Sequence, residues 1–437
     1  MNELDNKIAV VGLGKSGIST VAFLVKKGYK PELFDTRENL TSIYENDLVK
    51  NNELKVHLGA LDENLLKAFS TVIVSPGIPL ATPALSKTIE AGVDVVTDIE
   101  IFGRFAKASV IGITGSNGKS TVTTLVYEIL KNAGLNAKVG GNIGIPALDI
   151  LDDKAEAYVL ELSSFQLEGV KTLKLKGATI LNISEDHLDR YHGKMIEYID
   201  AKRRIFMHAE NILVNRDDEF TYPQNNQSVI SFGLDDKDYG EKVINGEKFL
   251  TKNGEPIMKV SEMGIKGTHN EMNALASIAL TDLLNVSSKA QVETLKNFTG
   301  LAHRCQLVRE LDGVSYYNDS KATNVGATLA AVKGLAGKGK IYLLAGGLGK
   351  GQDFTPVKNL LGKEVAFMFC YGRDGKMLSE LGKETMLCKD MHDAILKAKD
   401  MSEPNSIVLL APACASLDEF KSFEERGDIF AKIVREL

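Results

Sequence analysis

The chain has 437 residues, of which 44% are hydrophobic and 25% charged, and this composition excludes a disordered or fibrous protein. At roughly 150 residues per domain, the length predicts about three domains. The net charge of −6 argues mildly against a protein that coats nucleic acid. There is no apolar run of transmembrane length and no secretory signal pattern at the N-terminus, so we expect a cytoplasmic protein.

Glycine and cysteine refine this picture. The 39 glycines exceed the usual share and suit an α/β protein with several tight turns between strands and helices. The cysteines follow no metal-binding spacing, and we expect free, buried thiols at Cys305, Cys370, Cys388 and Cys414.

The first hundred residues alternate between predicted strands and helices. A buried strand over 7–11 is followed by a glycine-rich turn and a helix over 18–27. Further strands are predicted over 31–35, 71–77 and 93–98. This alternation is typical of βαβ units and a parallel sheet.

The same pattern restarts twice along the chain. Strands are predicted over 109–114, 158–162 and 177–183, with a long helix over 119–133. From 227 to 266, Asn245–Gly246 and Asn253–Gly254 indicate hairpins, and a helix over 270–284 follows. A third set of strands is predicted over 340–347, 365–372 and 406–413. We therefore expect α/β domains at 1–97, 98–300 and 301–437.

The first glycine loop is a complete GxGxxG motif. Gly12, Gly14 and Gly17 lie between a predicted strand and helix, and Asp35 ends the next strand. By itself this fingerprint favours a dinucleotide such as NAD, with the acid on a ribose hydroxyl. Another nucleotide diphosphate or a purely structural turn stays open, because any diphosphate can use a helix N-terminus.

The second glycine loop, residues 115–121, reads GSNGKST and resembles a phosphate-binding loop. Its backbone amides would surround phosphates, Lys119 would contact the β and γ oxygens, and Ser120 would bind Mg²⁺. The motif departs from the strict pattern because Ile113 stands where the first glycine belongs. The strand–loop–helix context nevertheless favours a triphosphate over a chance match.

Candidate metal ligands follow two later strands. Glu161 ends the strand over 158–162, where its carboxylate would face the phosphate loop. Asp186 and His187 follow the strand over 177–183. Since no guanine-reading NKxD motif is present, an ATP-dependent ligase or kinase fits better than a GTPase switch.

Seven motifs spread over the chain together resemble those of the Mur ligases: TGSNGKST, LELSSFQLE, NISEDHLDRY, HNEMNA, AHR, NDSKATN and APACASLDEFKSFEERG. The resemblance implies three α/β domains: an N-terminal Rossmann-like UDP-binding domain, a central P-loop ATPase domain and a C-terminal Rossmann-like domain. It also implies an ATP-dependent ligase that adds D-glutamate to UDP-N-acetylmuramoyl-L-alanine through an acyl phosphate. On this reading the first glycine loop holds UDP instead of a nicotinamide cofactor.

The resemblance assigns the residues to five overlapping groups. The UDP substrate would contact Gly14, Lys15, Ser16, Asp35, Thr36, Arg37, Ser75, Pro76, Gly77, Asn142, Ser163 and Gln166. ATP would contact Gly115, Ser116, Asn117, Gly118, Lys119, Ser120, Thr121, Asn273, Arg304, Asp319 and Lys321. D-Glutamate would contact Lys321, Thr323, Lys350, Ser416, Leu417 and Phe423. Two Mg²⁺ ions would involve Ser120, Glu161, His187 and a carbamylated Lys202, and the catalytic residues would be Lys119, Glu161, His187 and Lys202.

Two positions near the C-terminal strand ends carry further expectations. Leu348 occupies a position in GGLGKG where some members of the family carry an acid, so no contact of that acid is transferred. Ser416 is expected to begin a helix whose N-terminus receives a carboxylate.

An NAD(P)-dependent oxidoreductase, a folylpolyglutamate synthetase and a non-catalytic nucleotide-binding scaffold are the competing hypotheses. We expect a monomer that neither binds nucleic acid nor inserts into a membrane.

Overall fold

The computed structural model describes residues 4–5, 7–188, 190–225 and 227–437. The chain divides into two compact units. The first comprises Met1–Ile183, Ile196–Lys259 and Asn273–Thr294, and the second comprises Ser184–Met195, Val260–Met272 and Leu295–Leu437.

The N-terminal part of the first unit is a parallel five-stranded sheet with its helices. Its elements are β1 (Ile8–Val11), α1 (Lys15–Lys26), β2 (Glu32–Asp35), α2 (Asp47–Asn51), β3 (Val56–Leu58), α3 (Glu63–Leu66), β4 (Thr71–Val74), α4 (Pro83–Glu90) and β5 (Asp94–Thr97). The strand order is β3-β2-β1-β4-β5. Every residue of β1 and β4 is buried, as expected for parallel strands covered on both faces. The order reverses between β1 and β4, so a crevice at their carboxyl ends is suited to a ligand.

Three predicted boundaries in this region were wrong. The strand predicted over 71–77 ends at Val74, and the loop that follows it begins at Ser75. The helix predicted over 18–27 begins at Lys15, because Gly14 is its extended N-cap and its first turn is polar. Apolar periodicity marks only the buried face, so it missed that turn. The strand predicted over 93–98 ends at Thr97, and Asp98 begins the next helix, α5 (Asp98–Phe105).

The middle of the chain forms a nine-stranded sheet. Its elements are β6 (Ser109–Thr114), α6 (Lys119–Asn132), β7 (Ala137–Gly141), β8 (Ala157–Glu161), α7 (Ser164–Leu167), β9 (Gly177–Ile180), α8 (Met195–Arg203), β10 (Ile212–Asn215), β11 (Val229–Phe232), β12 (Tyr239–Ile244), β13 (Glu247–Lys252), β14 (Glu255–Lys259), α9 (Thr268–Asp282) and α10 (Ser288–Asn297). The strand order is β14-β13-β12-β11-β10-β9-β6-β8-β7. Strands β12 to β14 pair antiparallel, which confirms the hairpins predicted from the two Asn-Gly pairs.

Helix α5 belongs to the apolar core that the two sheets of the first unit share. Phe105 makes an edge-to-face contact with Phe23 of α1 at a centroid distance of 5.0 Å. Phe102 makes the same kind of contact with Tyr158 of β8 at 5.1 Å. Residues of both sheets belong to one buried cluster, so the two layers are packed together within this unit.

Asp98 is a buried carboxylate at the first position of α5. Its side chain is 2% exposed, and neither carboxylate oxygen has a hydrogen-bond partner among the described residues. Burial raises the pKa of Asp98 to about 6, and the backbone amides at the start of the helix only partly oppose this. Because this pKa lies above the ordinary value of 3.8, the folded state loses stability as the pH rises from about 4 to 6.

Replacing Asp98 by asparagine is therefore expected to raise the free energy of unfolding by about 3 kcal/mol at pH 7.5 and by less than about 1 kcal/mol at pH 4. Urea denaturation followed by circular dichroism at the two pH values measures this difference. Asp400→Asn, at an exposed position on another helix, should change little at either pH. The same gain at both pH values would contradict the burial argument.

The second unit contains a six-stranded sheet. Its elements are β15 (Gln306–Leu311), β16 (Val314–Asn318), α11 (Val325–Leu335), β17 (Lys340–Gly346), α12 (Thr355–Lys358), β18 (Val365–Tyr371), α13 (Gly375–Ser379), β19 (Thr385–Leu387), α14 (Met391–Met401), β20 (Ser406–Leu410) and α15 (Phe423–Glu436). The order is β15-β16-β20-β17-β18-β19, and only β15 runs antiparallel to its neighbour. The α/β architecture predicted for this region is confirmed.

All four cysteines are free thiols, and all except the half-buried Cys305 are buried. In the part of the chain that the structure describes, no helix combines the length and hydropathy that crossing a bilayer requires.

Candidate active site

The first glycine loop joins β1 to α1, and two of its glycines are required by close contacts. Gly12 has a left-handed φ of 90°, and a Cβ on Gly17 would lie 1.8 Å from the Gly12 carbonyl oxygen. The hydroxyl of Ser75, which follows β4, donates to the same carbonyl at 2.6 Å. The loops after β1 and β4, which contain the predicted diphosphate-binding residues, are thereby held together.

Asp35 is already engaged by protein groups. Its carboxylate accepts the Leu13 backbone N–H at 2.7 Å and two guanidinium N–H bonds from Arg37 at 2.8 and 2.7 Å. The Arg37 hydrogen bond is the main reason that the pKa of Asp35 falls to about 2. In this arrangement the acid supports the glycine loop, whereas a dinucleotide enzyme would use it to bind a ribose hydroxyl.

The second glycine loop, residues 115–121, is named the phosphate loop and occupies the turn between β6 and α6. Gly118 is the N-cap of α6 with a left-handed φ of 80°, and a Cβ there would lie 2.6 Å from Oδ1 of Asn273 on α9. The Lys119 ammonium donates to the carbonyls of Gly115 and Ser116 at 2.7 and 2.9 Å. Lys119 therefore lies over its own loop, as the phosphate-binding lysine should.

Asn182 is a site residue that the sequence analysis missed. Its side-chain oxygen accepts the Asn117 backbone N–H at 2.8 Å, and its amide nitrogen donates to the Asn117 carbonyl at 3.0 Å. These two bonds fix the middle of the phosphate loop. Asn182 could have been found from its position two residues beyond β9, because β9 pairs with β6, the strand that precedes the phosphate loop.

Glu161 and Ser120 form the clearest candidate metal-binding pair. Glu161 ends β8 and is 1% exposed, and its Oε2 accepts the Ser120 hydroxyl at 2.5 Å. Its Oε1 accepts a hydrogen bond from Nδ2 of Asn142 at 2.7 Å. The predicted proximity of Glu161 to the phosphate loop is present in the structure.

This donor set fits Mg²⁺ as the ion is used with nucleotides. Among the described residues, no three His, Cys, Asp or Glu side chains cluster so that they could hold a metal by themselves. Mg²⁺ usually keeps several waters and takes one or two carboxylates together with substrate phosphates. One carboxylate beside one hydroxyl at the mouth of a phosphate loop meets that requirement.

Lys202 on α8 is 2% exposed and close to the phosphate loop. Its amine donates to the Gly115 carbonyl at 2.9 Å and lies 4.6 Å from the centroid of the Tyr198 ring. The Tyr198 hydroxyl lies 3.0 Å from the hydroxyl of Ser116. Tyr198 was missed by the sequence analysis, although its spacing of one helical turn from Lys202 would have placed it on the same face.

Ser163 and Gln166 have a local structural role. The Ser163 hydroxyl accepts the Gln166 backbone N–H at 3.2 Å, and the Gln166 side-chain oxygen accepts the Ser163 backbone N–H at 3.0 Å. Together they form a capping box on α7. Their predicted contact with the peptide part of the UDP substrate stays a prediction.

In the second unit, Asp186 connects two predicted site residues. Its carboxylate accepts from Lys350 at 3.3 Å and from Asn324, the N-cap of α11, at 3.1 Å. The His187 ring nitrogen Nε2 lies 3.6 Å from the same carboxylate. Lys350 and His187 both have left-handed φ angles, of 55° and 53°. Asn324 was not among the site residues predicted from the sequence.

Lys321 and Phe423 also lie together. The Lys321 ammonium is 3.8 Å from the centroid of the Phe423 ring, a close cation–π contact. His303 makes an edge-to-face contact with the same ring at 6.3 Å.

Burial raises the pKa of Asp319 to about 7, and the charge of Arg304 acts in the opposite direction.

The residues around Ser416 correct one prediction. Ser416 is buried but begins only a single turn, in which its carbonyl accepts the Phe420 backbone N–H at 2.9 Å. The helix begins at Phe423 instead, because the side chain of Ser422 accepts the Glu425 backbone N–H and caps it. Leu417 is 67% exposed. Leu348 exchanges two backbone hydrogen bonds with Ala415, so the GGLGKG loop is fixed through its main chain.

Arg426 is fully buried and connects the strand ends of this sheet. Its guanidinium donates to the hydroxyl and carbonyl of Ser320 at 3.0 and 2.8 Å and to the carbonyls of Cys414 and Gly346 at 3.1 and 3.4 Å. These residues follow or end β16, β20 and β17. Arg426 thus connects, through hydrogen bonds, the three loops that contain the predicted amino-acid-binding residues.

Comparison with known proteins covers nearly the whole chain. The Mur ligase MurD-like N-terminal domain matches residues 6–97, the Mur ligase middle domain matches 113–281, and the Mur ligase glutamate ligase domain matches 303–414. A UDP-N-acetylmuramoylalanine–D-glutamate ligase of Aliivibrio fischeri is 45% identical over 98% of this chain and 97% of its own length. The protein of the same name from Haemophilus ducreyi is 45% identical over 100% of this chain and 99% of its own length.

Solved structures agree at the level of the fold. A pseudomurein peptide ligase type C from Methanothermus fervidus has a TM-score of 0.63 at 18% identity and covers 98% of this chain and 99% of its own. A UDP-N-acetylmuramate–alanine ligase from Thermotoga maritima has a TM-score of 0.61 at 20% identity, with the same coverage. With its three matched domains and relatives 45% identical over nearly their full length, the chain belongs to the Mur ligase family.

Proposed function

We propose that this chain uses ATP to add D-glutamate to UDP-N-acetylmuramoyl-L-alanine, a step of peptidoglycan synthesis and so of cell-wall growth. The observation that carries the proposal is 45% identity over almost the full chain to ligases of that name. The Lys119, Ser120 and Glu161 geometry at the phosphate loop supports ATP as the energy source.

The chemistry explains why three substrates are needed. A carboxylate does not react with an amine at neutral pH, because its leaving group would be oxide. Transfer of the γ-phosphoryl group from ATP to the carboxylate of the alanyl residue forms an acyl phosphate and releases ADP. The D-glutamate amine then attacks the carbonyl carbon, the C–O bond to phosphate breaks, and the amine loses a proton. Catalysis consists mainly of holding anions together and neutralising their charge.

The residues of the phosphate loop would carry out the first of these tasks. The backbone amides of 115–121 and the Lys119 ammonium would bind the β and γ phosphates. Ser120 and Glu161 would hold one Mg²⁺, and His187 with a carbamylated Lys202 would support a second. When bound, these ions supply positive charge to the phosphates and to the substrate carboxylate.

The remaining assignments follow the domains 1–97, 98–300 and 301–437. The loops after β1, β2 and β4 would bind UDP, with Asn142, Ser163 and Gln166 toward its sugar and peptide. Asn273, Arg304, Asp319 and Lys321 would contact the nucleotide. The strand ends that Arg426 connects would bind D-glutamate through Lys321, Thr323, Lys350, Ser416, Leu417 and Phe423. We also propose a cytoplasmic monomer.

Carbamylation of Lys202 has its own test. Lys202→Ala should lose most of its turnover and recover part of it when a short carboxylic acid such as propionate is added. The acid would restore the anion that a carbamate supplies. Wild-type protein equilibrated with ¹³C-bicarbonate should show a carbamate carbon signal by NMR that the variant lacks. Full activity of the variant without acid would contradict the assignment.

The decisive experiment is a phosphate-release assay on the full chain. Release should require ATP, UDP-N-acetylmuramoyl-L-alanine and D-glutamate together, and omission of any one should abolish it. Turnover with L-glutamate or meso-diaminopimelate in place of D-glutamate would overturn the specificity. ATP binding without product would indicate a scaffold, and binding of NADPH without binding of UDP would indicate an oxidoreductase.

A further inference from the structure

One short loop of the first unit lies between the glycine loop of α1 and the phosphate loop. This linking loop, Gly141–Ile145, is closed by a hydrogen bond from the Gly141 backbone N–H to the Ile145 carbonyl at 2.8 Å. Gly141 and Gly144 have left-handed φ angles of 94° and 101°. A Cβ on Gly141 would lie 2.3 Å from the Glu161 carbonyl oxygen, so the backbone of the loop is in close contact with the end of β8.

One end of the linking loop contacts the proposed UDP site. The Lys15 ammonium, in the first turn of α1, donates to the Gly144 carbonyl. One turn further along α1, the Ser19 hydroxyl donates to the Asp149 carboxylate at 2.6 Å, just beyond the loop. Helix α1 therefore rests on this segment at the end where a diphosphate would bind.

The other end of the linking loop holds the proposed metal ligand. Asn142 donates its backbone N–H to the Glu161 carbonyl at 2.8 Å and its side-chain N–H to the Glu161 carboxylate at 2.7 Å. The second carboxylate oxygen of Glu161 accepts the Ser120 hydroxyl at 2.5 Å. Hydrogen bonds joined by the backbone of the linking loop thus run from Lys15 to the phosphate loop.

We propose that the linking loop couples the two nucleotide sites, so that UDP bound at α1 tightens the binding of the magnesium–nucleotide complex at the phosphate loop. The proposal rests on the proposed function, which assigns those two sites. An ammonium has three N–H donors, and the Gly144 carbonyl uses one of them. A diphosphate that accepts the others fixes Lys15, and through it the loop and Asn142. Asn142 is then a positioning residue that orients Glu161 toward the metal.

This coupling has a direct chemical benefit and a thermodynamic consequence. A site whose metal ligand is already oriented loses less conformational freedom when the nucleotide binds. ATP is then held best when the carboxylate that must receive its phosphate is present. Coupling free energies are reciprocal, so the magnesium–nucleotide complex must tighten UDP binding by the same factor.

Isothermal titration calorimetry on the full chain tests the inference. The probe is Mg²⁺ with a non-hydrolysable ATP analogue, titrated with and without saturating UDP. UDP should lower the dissociation constant at least about fivefold in the wild-type protein. Lys15→Met and Asn142→Ala should each reduce this factor to below about twofold, and the double variant should reduce it no further. Lys26→Met, at an exposed position on the same helix, should keep the wild-type factor.

The outcomes separate this inference from the proposed function. Tight binding of UDP and nucleotide with no coupling in the wild type would overturn the inference and leave the proposed function standing. Failure of UDP to bind would overturn both. Wild-type coupling in Lys15→Met at saturating UDP would show that the route does not pass through Lys15 and would also overturn the inference.

Discussion

Replacing Lys119 by alanine is expected to lower the rate of phosphate release by at least about 10²–10³, the scale for loss of one key charged donor. In the structure the ammonium donates to the Gly115 and Ser116 carbonyls, two acceptors at the mouth of the phosphate loop. Bound ATP would offer phosphate oxygens to the same donors. The alanine variant lacks both the donors and the positive charge, so its affinity for ATP and its turnover should fall together.

Lys131→Ala is a matched control for this experiment. Lys131 lies on the same helix, its side chain is 63% exposed, and it pairs only loosely with Glu128 at 3.9 Å. Its removal should leave turnover and nucleotide affinity unchanged. Near-normal turnover of Lys119→Ala would eliminate the ATP-site assignment. Normal nucleotide affinity with slow turnover would limit Lys119 to the transfer step.

The second large effect is expected at Glu161. Glu161→Gln should lower turnover about 10²-fold and raise the Mg²⁺ concentration that gives half-maximal activity. Glutamine has the same shape and can still accept the Ser120 hydroxyl, but it removes the negative charge that would face the ion. The thermal unfolding midpoint should therefore change little while the magnesium dependence changes strongly.

Magnesium titrations of phosphate release separate these effects. Glu128→Gln, on the exposed face of α6, is the control and should retain the wild-type magnesium dependence. A variant as active as wild type at low Mg²⁺ would show that Glu161 is not a ligand. A large fall in the unfolding midpoint would indicate instead that its bonds to Ser120 and Asn142 are mainly structural.

The fold was largely predictable because parallel α/β units have strong local signals. Buried strands such as β4 read as uninterrupted apolar runs, and the glycine turns after β1 and β6 mark the beginnings of helices. Short or polar edge strands were missed, including β3, β15 and β19. An edge strand has one neighbour and little burial, so its sequence carries little of the apolar pattern.

The candidate site was also only partly predictable from the sequence. Motifs with fixed local spacing identified Lys119, Ser120 and Glu161, which the structure brings together. Asn182 and Asn324 escaped notice because their contacts are made with residues distant in the sequence. Ser416 was given a helix that its local sequence does not form, since the cap at Ser422 decides where α15 begins.

The sequence by itself determined three α/β domains, two glycine loops with the spacing of phosphate-binding motifs and the family to which the chain belongs. It could do so because glycine turns, apolar strands and P-loop spacing are local properties of a few consecutive residues. Only the tertiary structure decided that Asp35 supports the first glycine loop through the backbone of Leu13. It alone showed that Gly141–Ile145 joins Lys15 to Glu161. These contacts connect residues far apart in the chain, and which donor meets which acceptor depends on how the sheets and helices pack.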